Sequence, residues 1–213
     1  MRLVGKVLVL SLLAVFALSL VAMAQTPNLT LTAAKVSSAP TLDGVVNDKA
    51  WVEASQRGAK VVVDLNNTGD KITSLPRVAY VAYDDEALYV AYINYTLNPD
   101  ALTVGNVVHN NDEVELFIEP AGKTYVQIIV DNAGETMNGQ LINYAVKKAD
   151  IQWIVELALP WANLEVDPPK PGDQWKINLN GHQITDGNMW LCWNPTYGGF
   201  LNPDRFATLI FGE

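Results

Sequence analysis

The 213-residue chain has a single cysteine, Cys192, and only two histidines, His109 and His182. One cysteine cannot form an intramolecular disulfide, so the hydrophobic core has to stabilise the fold alone. Cys192 lies in the apolar stretch 190–193, which favours a buried thiol that packs as a small hydrophobic side chain. A nucleophilic thiol would need an activating histidine, and no spacing in the sequence pairs either histidine with it.

The chain is also poor in basic residues. Lys and Arg number 14 against 23 Asp and Glu, which gives a formal net charge of −9. Nucleic acids and anionic membrane surfaces are bound through clustered positive charge. We therefore expect no nucleic-acid partner, and partners that are neutral or cationic.

Only one long hydrophobic run occurs, and it lies at the start of the chain. Arg2 and Lys6 precede the apolar stretch 7–21, and Ala-Met-Ala follows at 22–24. The pattern predicts a signal peptide over residues 1–24, since the run is shorter than the ~20 residues that span a bilayer. Cleavage would leave residues 25–213 as one secreted or periplasmic domain with no membrane span. Without Arg2 and Lys6 the charge of −9 becomes −11.

Hydrophobic periodicity in the remainder favours strands over helices. Short β-rich segments alternate with turns that contain Gly, Asn and Asp, a pattern typical of a sandwich or barrel. Two short helices are predicted, one after Asn47 or Asp48 and one that starts at Pro160. The sequence therefore predicts an all-β fold, an antiparallel β-sandwich with jelly-roll or immunoglobulin-like layers and one or two short helices. The predicted strands cover residues 29–36, 59–65, 77–83, 88–93, 113–118, 125–130, 141–146, 153–159, 175–179, 189–193 and 206–211.

Five segments in series resemble the family 9 carbohydrate-binding modules and their DOMON-like sandwich relatives. In chain order they are APTLDGVVNDKAW at 39–51, VAYDDEALYV at 81–90, NDEVELFI at 111–118, WIVELALPW at 153–161 and PDRF at 203–206. The resemblance implies an antiparallel β-sandwich that binds an oligosaccharide or polysaccharide without catalysis, in association with glycoside hydrolases of polysaccharide breakdown. It also implies bound calcium.

The chain departs from that family at the sugar clamp. Characterised members hold the sugar between two tryptophans, and His109 and Phe200 occupy those two positions here. A basic residue that some members use corresponds to Ile129. Phe200 keeps an aromatic face for stacking on sugar C–H groups. The clamp is then reduced, altered for another ligand, or supplied by neighbours such as Trp193 and Tyr197.

Two segments carry the candidate binding residues. The stretch 190–202 and the stretch 107–112 combine aromatic side chains with amides that both donate and accept hydrogen bonds. Trp190 and Trp193 are three apart on one strand, so one should face inward and the other outward. The resulting carbohydrate-binding set is His109, Asn110, Asn111, Glu113, Gln127, Trp193, Asn194, Tyr197, Phe200 and Asn202.

Glu113 and Glu115 share one face of a predicted strand. Residues two apart on a strand lie about 7 Å from each other. That spacing is compatible with the carboxylate pair of a glycoside hydrolase. An exposed strand face with alternating charge explains the pair more simply, and no other feature of a catalytic cleft accompanies it. We therefore predict a solvent-facing strand and no enzyme activity.

Carboxylates in two predicted loops could hold calcium, because hard cations prefer oxygen ligands. The candidates are Asp43, Asp48, Asp84 and Asp85. Helix capping and ordinary turn formation explain the same residues equally well.

Two other function classes stay open. Some DOMON-like relatives carry haem, and Met137, Met189, His109 or His182 could supply axial ligands for electron transfer, although the Cys-x-x-Cys-His attachment motif is absent. The third hypothesis is a cell-envelope module that binds a secreted or envelope protein and no sugar.

Overall fold

The computed structural model describes residues 27–213, and the predicted signal peptide lies outside the described residues. Within that range the chain forms twelve β-strands, one α-helix and short 3₁₀ turns, which confirms the all-β prediction. None of the helices described is long and apolar enough to cross a bilayer. The elements are β1 Thr30–Lys35, α1 Lys49–Gln56, β2 Lys60–Asn66, β3 Ile72–Tyr83, β4 Ala87–Tyr95, β5 Glu113–Glu119, β6 Val126–Asp131, β7 Thr136–Met137, β8 Asn143–Ala149, β9 Gln152–Pro160, β10 Gln174–Gln183, β11 Met189–Cys192 and β12 Ala207–Phe211.

Six strands close on themselves to form the centre of the fold. Their hydrogen-bonded order is β1, β12, β10, β11, β2 and β3, with β3 returning to β1. A layer of β5, β6 and β7 continues from β10, and a second layer of β4, β9 and β8 continues from β3. Pairing is antiparallel except where β1 meets β12 and β3. Tyr92 on β4 donates a 3.1 Å hydrogen bond to the carbonyl of Glu115 on β5, which joins the two layers across the core.

Alternation along the strands decides which residues fill the core. On β5, Val114, Leu116 and Ile118 point inward and are at most 1% exposed. Glu113, Glu115 and Phe117 therefore point to the opposite, outer face. The outer face of β5 carries the candidate site.

Several local predictions need correction. The Asp48 side chain does not cap α1, because its carboxylate accepts a hydrogen bond from the Thr41 N–H at 3.2 Å instead. Pro160 ends β9, and the helix predicted there is a single 3₁₀ turn, Trp161–Leu164. Strand β8 starts at Asn143 because a 3₁₀ turn precedes it.

Candidate functional site

Three rows of side chains cross the outer face of β5, β10 and β11. Strand register places Asn180 opposite both Glu115 and Cys192, and places His182 opposite Trp190. The three rows are Glu113–His182–Trp190, Glu115–Asn180–Cys192 and Phe117–Asn178.

Aromatic rings cover these rows. Trp190 is half-buried, and its ring stacks on His182 with centroids 3.7 Å apart and an interplanar angle of 12°. Phe200, from the loop after β11, meets Trp190 edge-on at 5.6 Å and Phe117 at 6.4 Å. Since Trp190 and Phe117 belong to the two flanking rows, Phe200 bridges over the middle row between them.

A cavity of about 220 Å³ opens beside Phe200. It is lined by Asn67, Trp190, Gly199 and Phe200. Most of its lining is aromatic carbon, with the Asn67 amide at its edge. Asn67 itself is held by a 2.6 Å hydrogen bond from its side chain to the carbonyl of Gly198.

The two glutamates of β5 are buried, so the prediction of a solvent-facing strand was wrong. Glu113 is 0% and Glu115 2% exposed, because the Phe200 loop and the 3₁₀ turn Val108–Asn110 cover this face of the sheet. The two carboxyl groups lie close enough for each to affect the pKa of the other. Glu115 also accepts a 2.5 Å hydrogen bond from Gln127, and Glu113 accepts one of 2.6 Å from the His182 N–H.

Burial dominates the titration of this pair. Loss of hydration raises the pKa of Glu113 well above its usual value, and the nearby Glu115 raises it further. Burial raises the pKa of Glu115 to about 7, although the hydrogen bond from Gln127 opposes the shift. The pair therefore carries less than its full negative charge at neutral pH.

A buried arginine lies behind the acid pair, on the core side of β10. Arg77 donates to the His182 carbonyl at 2.7 Å and to the Asn180 carbonyl at 3.4 Å. It fits only because β10 has a glycine there, since a Cβ on Gly181 would lie 1.7 Å from Arg77 Nη1 and 2.3 Å from the Glu113 carbonyl oxygen. The positive charge of Arg77 acts on Glu113 through the strand and offsets part of the pKa increase that burial and Glu115 cause.

The middle row holds polar atoms that lack partners. Asn180 is 0% exposed, and neither its amide oxygen nor its amide nitrogen has a hydrogen-bond partner. Glu113 Oε2 likewise receives no hydrogen bond from a protein donor. Buried polar groups are almost always satisfied by protein, water or ligand. This row therefore has unused hydrogen-bonding capacity directly below the aromatic cover.

Three residues of the predicted binding set hold the fold together and are not free to bind a ligand. Trp193 packs in the main core, which makes Trp190 the outward-facing member of the pair. Asn194 is 1% exposed, and its amide bonds Leu29, Asn28 and Arg205. Asn111 is 0% exposed, and its amide joins Gly105 and Asp131 at 2.7 Å each.

Among the other members of the set, Phe200 alone lines the cavity, and it is 8% exposed. Tyr197 is half-buried with the Arg205 guanidinium 5.0 Å from its ring centroid, and Asn202 donates to the Thr196 carbonyl at 3.1 Å. His109 and Asn110 are exposed on the 3₁₀ turn at the other side of the face.

The four candidate calcium ligands are engaged in local hydrogen bonds and an ion pair. Asp84 accepts from the Glu86 and Ala87 N–H groups and from the Tyr89 hydroxyl, and Asp85 pairs with Lys35 at 2.8 Å. Over residues 27–213, no three Asp, Glu, His or Cys side chains gather as a metal cluster. These side chains do not fit a calcium site built from carboxylates, and calcium binding stays a prediction.

Sequence reasoning left three residues out of the carbohydrate-binding set, namely Trp190, Asn180 and Glu115. The polar alternation Asn178, Asn180, His182 on β10 was a usable signal, because polar residues at every second position mark one face of a strand. Nothing in the sequence showed that β10 lies beside β5, so the two polar faces could not be joined in advance.

Comparison with solved structures agrees with this architecture. A family 9 carbohydrate-binding module from Caldicellulosiruptor kristjanssonii in complex with cellotriose superposes with a TM-score of 0.69 and 14% identity, over 87% of this chain and 94% of that one. The chain has the fold of the family 9 carbohydrate-binding modules. A glucose complex of such a module from the same organism gives a TM-score of 0.68 at 16% identity, over 86% and 96% of the two chains.

A third solved structure similar to this chain is a candidate carbohydrate-binding protein from Bacteroides uniformis. Its TM-score is 0.64 at 16% identity, and the match covers 87% of this chain and 100% of that one. No protein-family model and no curated protein sequence matches the chain. The likeness to the family 9 fold therefore lies in the arrangement of the strands, with little in the amino-acid sequence.

Proposed function

We propose that this chain binds carbohydrate without catalysis, at the cavity between Trp190 and Phe200. The observation that carries the proposal is this aromatic cavity beside a row of unsatisfied polar groups, on a fold whose solved examples hold cellotriose and glucose. Aromatic rings attract the C–H faces of sugars, and amide and carboxyl groups bond their hydroxyls.

The size of the cavity favours one sugar unit. Its volume of about 220 Å³ is below the ~300–1,000 Å³ of pockets that enclose whole drug-sized ligands. An oligosaccharide end would enter, and the rest of the glycan would extend past Gly199 into solvent. Affinities in the millimolar to micromolar range, roughly −4 to −8 kcal/mol, are expected from so few contacts.

The geometry of Glu113 and Glu115 supports a role without hydrolysis. A glycosidase needs both carboxyl groups at the scissile bond of a bound sugar. Here both are at most 2% exposed, and neither lines the cavity. We propose that the module is exported and acts together with glycoside hydrolases of polysaccharide breakdown.

Calorimetric titration with cellotriose, glucose and xylotriose tests the proposal. We expect saturable binding of at least one sugar by residues 25–213, and at least a tenfold loss in Trp190→Ala. Tyr144→Ala is the matched control, because Tyr144 is an exposed aromatic residue on β8. Absence of heat with every sugar would reject carbohydrate binding and favour an envelope-protein partner.

Calcium is tested separately by thermal melting. If the family resemblance extends to calcium, adding CaCl₂ to chelator-treated protein raises the melting temperature in a concentration-dependent way. Identical melting curves with and without calcium would remove the metal from the proposal.

A further inference from the structure

Acceptors outnumber donors among the unpartnered atoms of the middle row and its neighbour Glu113. Glu113 Oε2 and Asn180 Oδ1 receive no hydrogen bond, Asn180 Nδ2 donates none, and both residues are 0% exposed on the same face. Glu115, directly opposite Asn180, adds a second carboxyl group. A ligand that reaches this row must bring more donors than acceptors, because Asn180 Nδ2 can serve one acceptor and the other oxygens of a carboxylate or phosphate would face acceptors.

The cations nearest this face are engaged elsewhere, since Lys176 pairs with Glu119 at 3.0 Å and Arg205, whose charge acts on Cys192, donates to the Pro195 carbonyl at 3.2 Å. The residue opposite Glu115 on β6 is Ile129, and its hydrogen-bond partner Gln127 is neutral. His182 is adjacent, but burial lowers its pKa and keeps the ring neutral near pH 7.

The positive charge that acts on the pair is Arg77, on the core side of β10 and bonded to two carbonyl groups. A single internal cation can balance the charge of only one of the two buried carboxylates. The other carboxyl group therefore keeps its proton.

We propose that the site prefers amino sugars, with the ammonium group of the ligand seated against Glu113, Glu115 and Asn180. This preference rests on the proposed carbohydrate function and names its substrate class. An ammonium group has three donors and no acceptor, which suits Glu113 Oε2, Asn180 Oδ1 and the Glu115 carboxyl group. Its charge compensates the second carboxylate, so the proton held by the pair leaves when the ligand binds.

Access to the row requires the Phe200 loop to move. Trp190 and Gln127 are half-buried and border the row on its two sides, while Phe200 covers its middle. The two residues before Phe200 are glycines, and a Cβ on either Gly198 or Gly199 would meet no atom within 4 Å. The loop backbone is therefore unpacked at these two glycines, where we expect it to bend when the Phe200 ring turns aside.

Three β-1,4-linked disaccharides that differ at one position provide the test. They carry an amine, an N-acetyl group or a hydroxyl at C2, in the disaccharides of glucosamine, N-acetylglucosamine and glucose. Calorimetry uses residues 25–213 at slightly acidic pH and physiological salt, which screens non-specific attraction to an acidic surface. We expect the glucosamine disaccharide to bind about tenfold more tightly than the glucose disaccharide, because one added charge-assisted hydrogen bond strengthens binding by about that factor.

Proton release gives an independent measurement. The observed binding heat of the amine ligand should depend on the ionisation enthalpy of the buffer, and that of the glucose disaccharide should not. Glu115→Gln should abolish both the tenfold preference and the buffer dependence. Glu119→Gln is the matched control, because Glu119 lies on the same strand and pairs with Lys176 at 3.0 Å, away from the row.

The possible results separate the two proposals. Equal or weaker binding of the amine, with clear binding of the glucose disaccharide, would overturn the amino-sugar preference and leave carbohydrate binding intact. No binding of any of the three would overturn carbohydrate binding itself. The comparison of ligands on the unmodified protein decides the matter even if Glu115→Gln fails to fold.

Discussion

Glu156 on β9 accepts a 2.7 Å hydrogen bond from the indole N–H of Trp51 on α1, and both side chains are buried. The other carboxylate oxygen accepts from the backbone N–H groups of Asp43, Gly44 and Val45 at 2.7–3.2 Å. One carboxylate thus fixes the loop before α1 and the helix itself against the sheet. Gly44 is needed there, because its φ is +74° and a Cβ would lie 2.3 Å from that of Lys147.

Replacement of Glu156 by glutamine should destabilise the protein. The amide nitrogen would face N–H donors, so buried donors would lose their acceptor at a cost of about 2–4 kcal/mol in unfolding free energy. Urea denaturation measures the effect, with Glu86→Gln as the exposed control expected within about 0.5 kcal/mol of wild type. Equal stability of the two variants would show that the carboxylate is dispensable.

Stability should fall as pH rises from about 4.5 to about 8. Glu115 has a pKa raised by burial from 4.5 to about 7, so the folded state binds more protons than the unfolded state over this interval. The loss from this shift is at most about 3–4 kcal/mol and belongs to the coupled Glu113–Glu115 pair, with Arg77, Tyr92 and His182 as its charged or titratable neighbours.

Unfolding free energies at pH 5 and pH 8 test that dependence. Glu115→Gln removes one titrating group of the pair and should flatten the difference between the two pH values. A variant with the same pH dependence as wild type would place the responsible groups elsewhere.

Phe200→Ala should reduce stability as well as any binding. Phe200 is 8% exposed and packs with Phe117, Cys192 and Phe206. Truncation leaves a cavity and should lower the free energy of unfolding by about 2–4 kcal/mol. The neighbouring Leu201 is 63% exposed, and Leu201→Ala should change stability by less than about 0.5 kcal/mol. Thermal melting of both variants decides whether Phe200 is a packing residue or a surface residue.

Gly181→Ala should be more harmful than alanine at most other glycines. The new methyl group would overlap the Glu113 carbonyl and displace the Arg77 guanidinium, which should lower the free energy of unfolding by about 2–3 kcal/mol. Gly198→Ala is the control, because a Cβ there meets nothing within 4 Å. If both variants melt at the wild-type temperature, the close approach of Arg77 to β10 is not required for folding.

Local patterns were sufficient for most of the strands. Alternation of Glu113, Val114, Glu115 and Leu116 identified β5 and the face that each side chain occupies. The same pattern gave the wrong environment for the glutamates, since alternation shows which residues share a face and says nothing about what covers it. The same limit applies to Trp190 and Trp193. Their opposite orientation was predictable from the strand, but which of the two is buried was not.

The amino-acid sequence by itself determined the all-β class, the order of the strands along the chain and the alternation of their faces, because those depend on neighbours within a few residues. Tertiary structure alone decided that β10 lies between β5 and β11, that Arg77 bonds the backbone of β10, and that Phe200 packs between Trp190 and Phe117. Two of the hydrogen bonds join residues far apart in the chain, Glu113 with His182 at a separation of 69 residues and Arg77 with His182 at 105. Only the packing of whole layers brings such residues together, and that same packing buries the acid pair and raises its pKa.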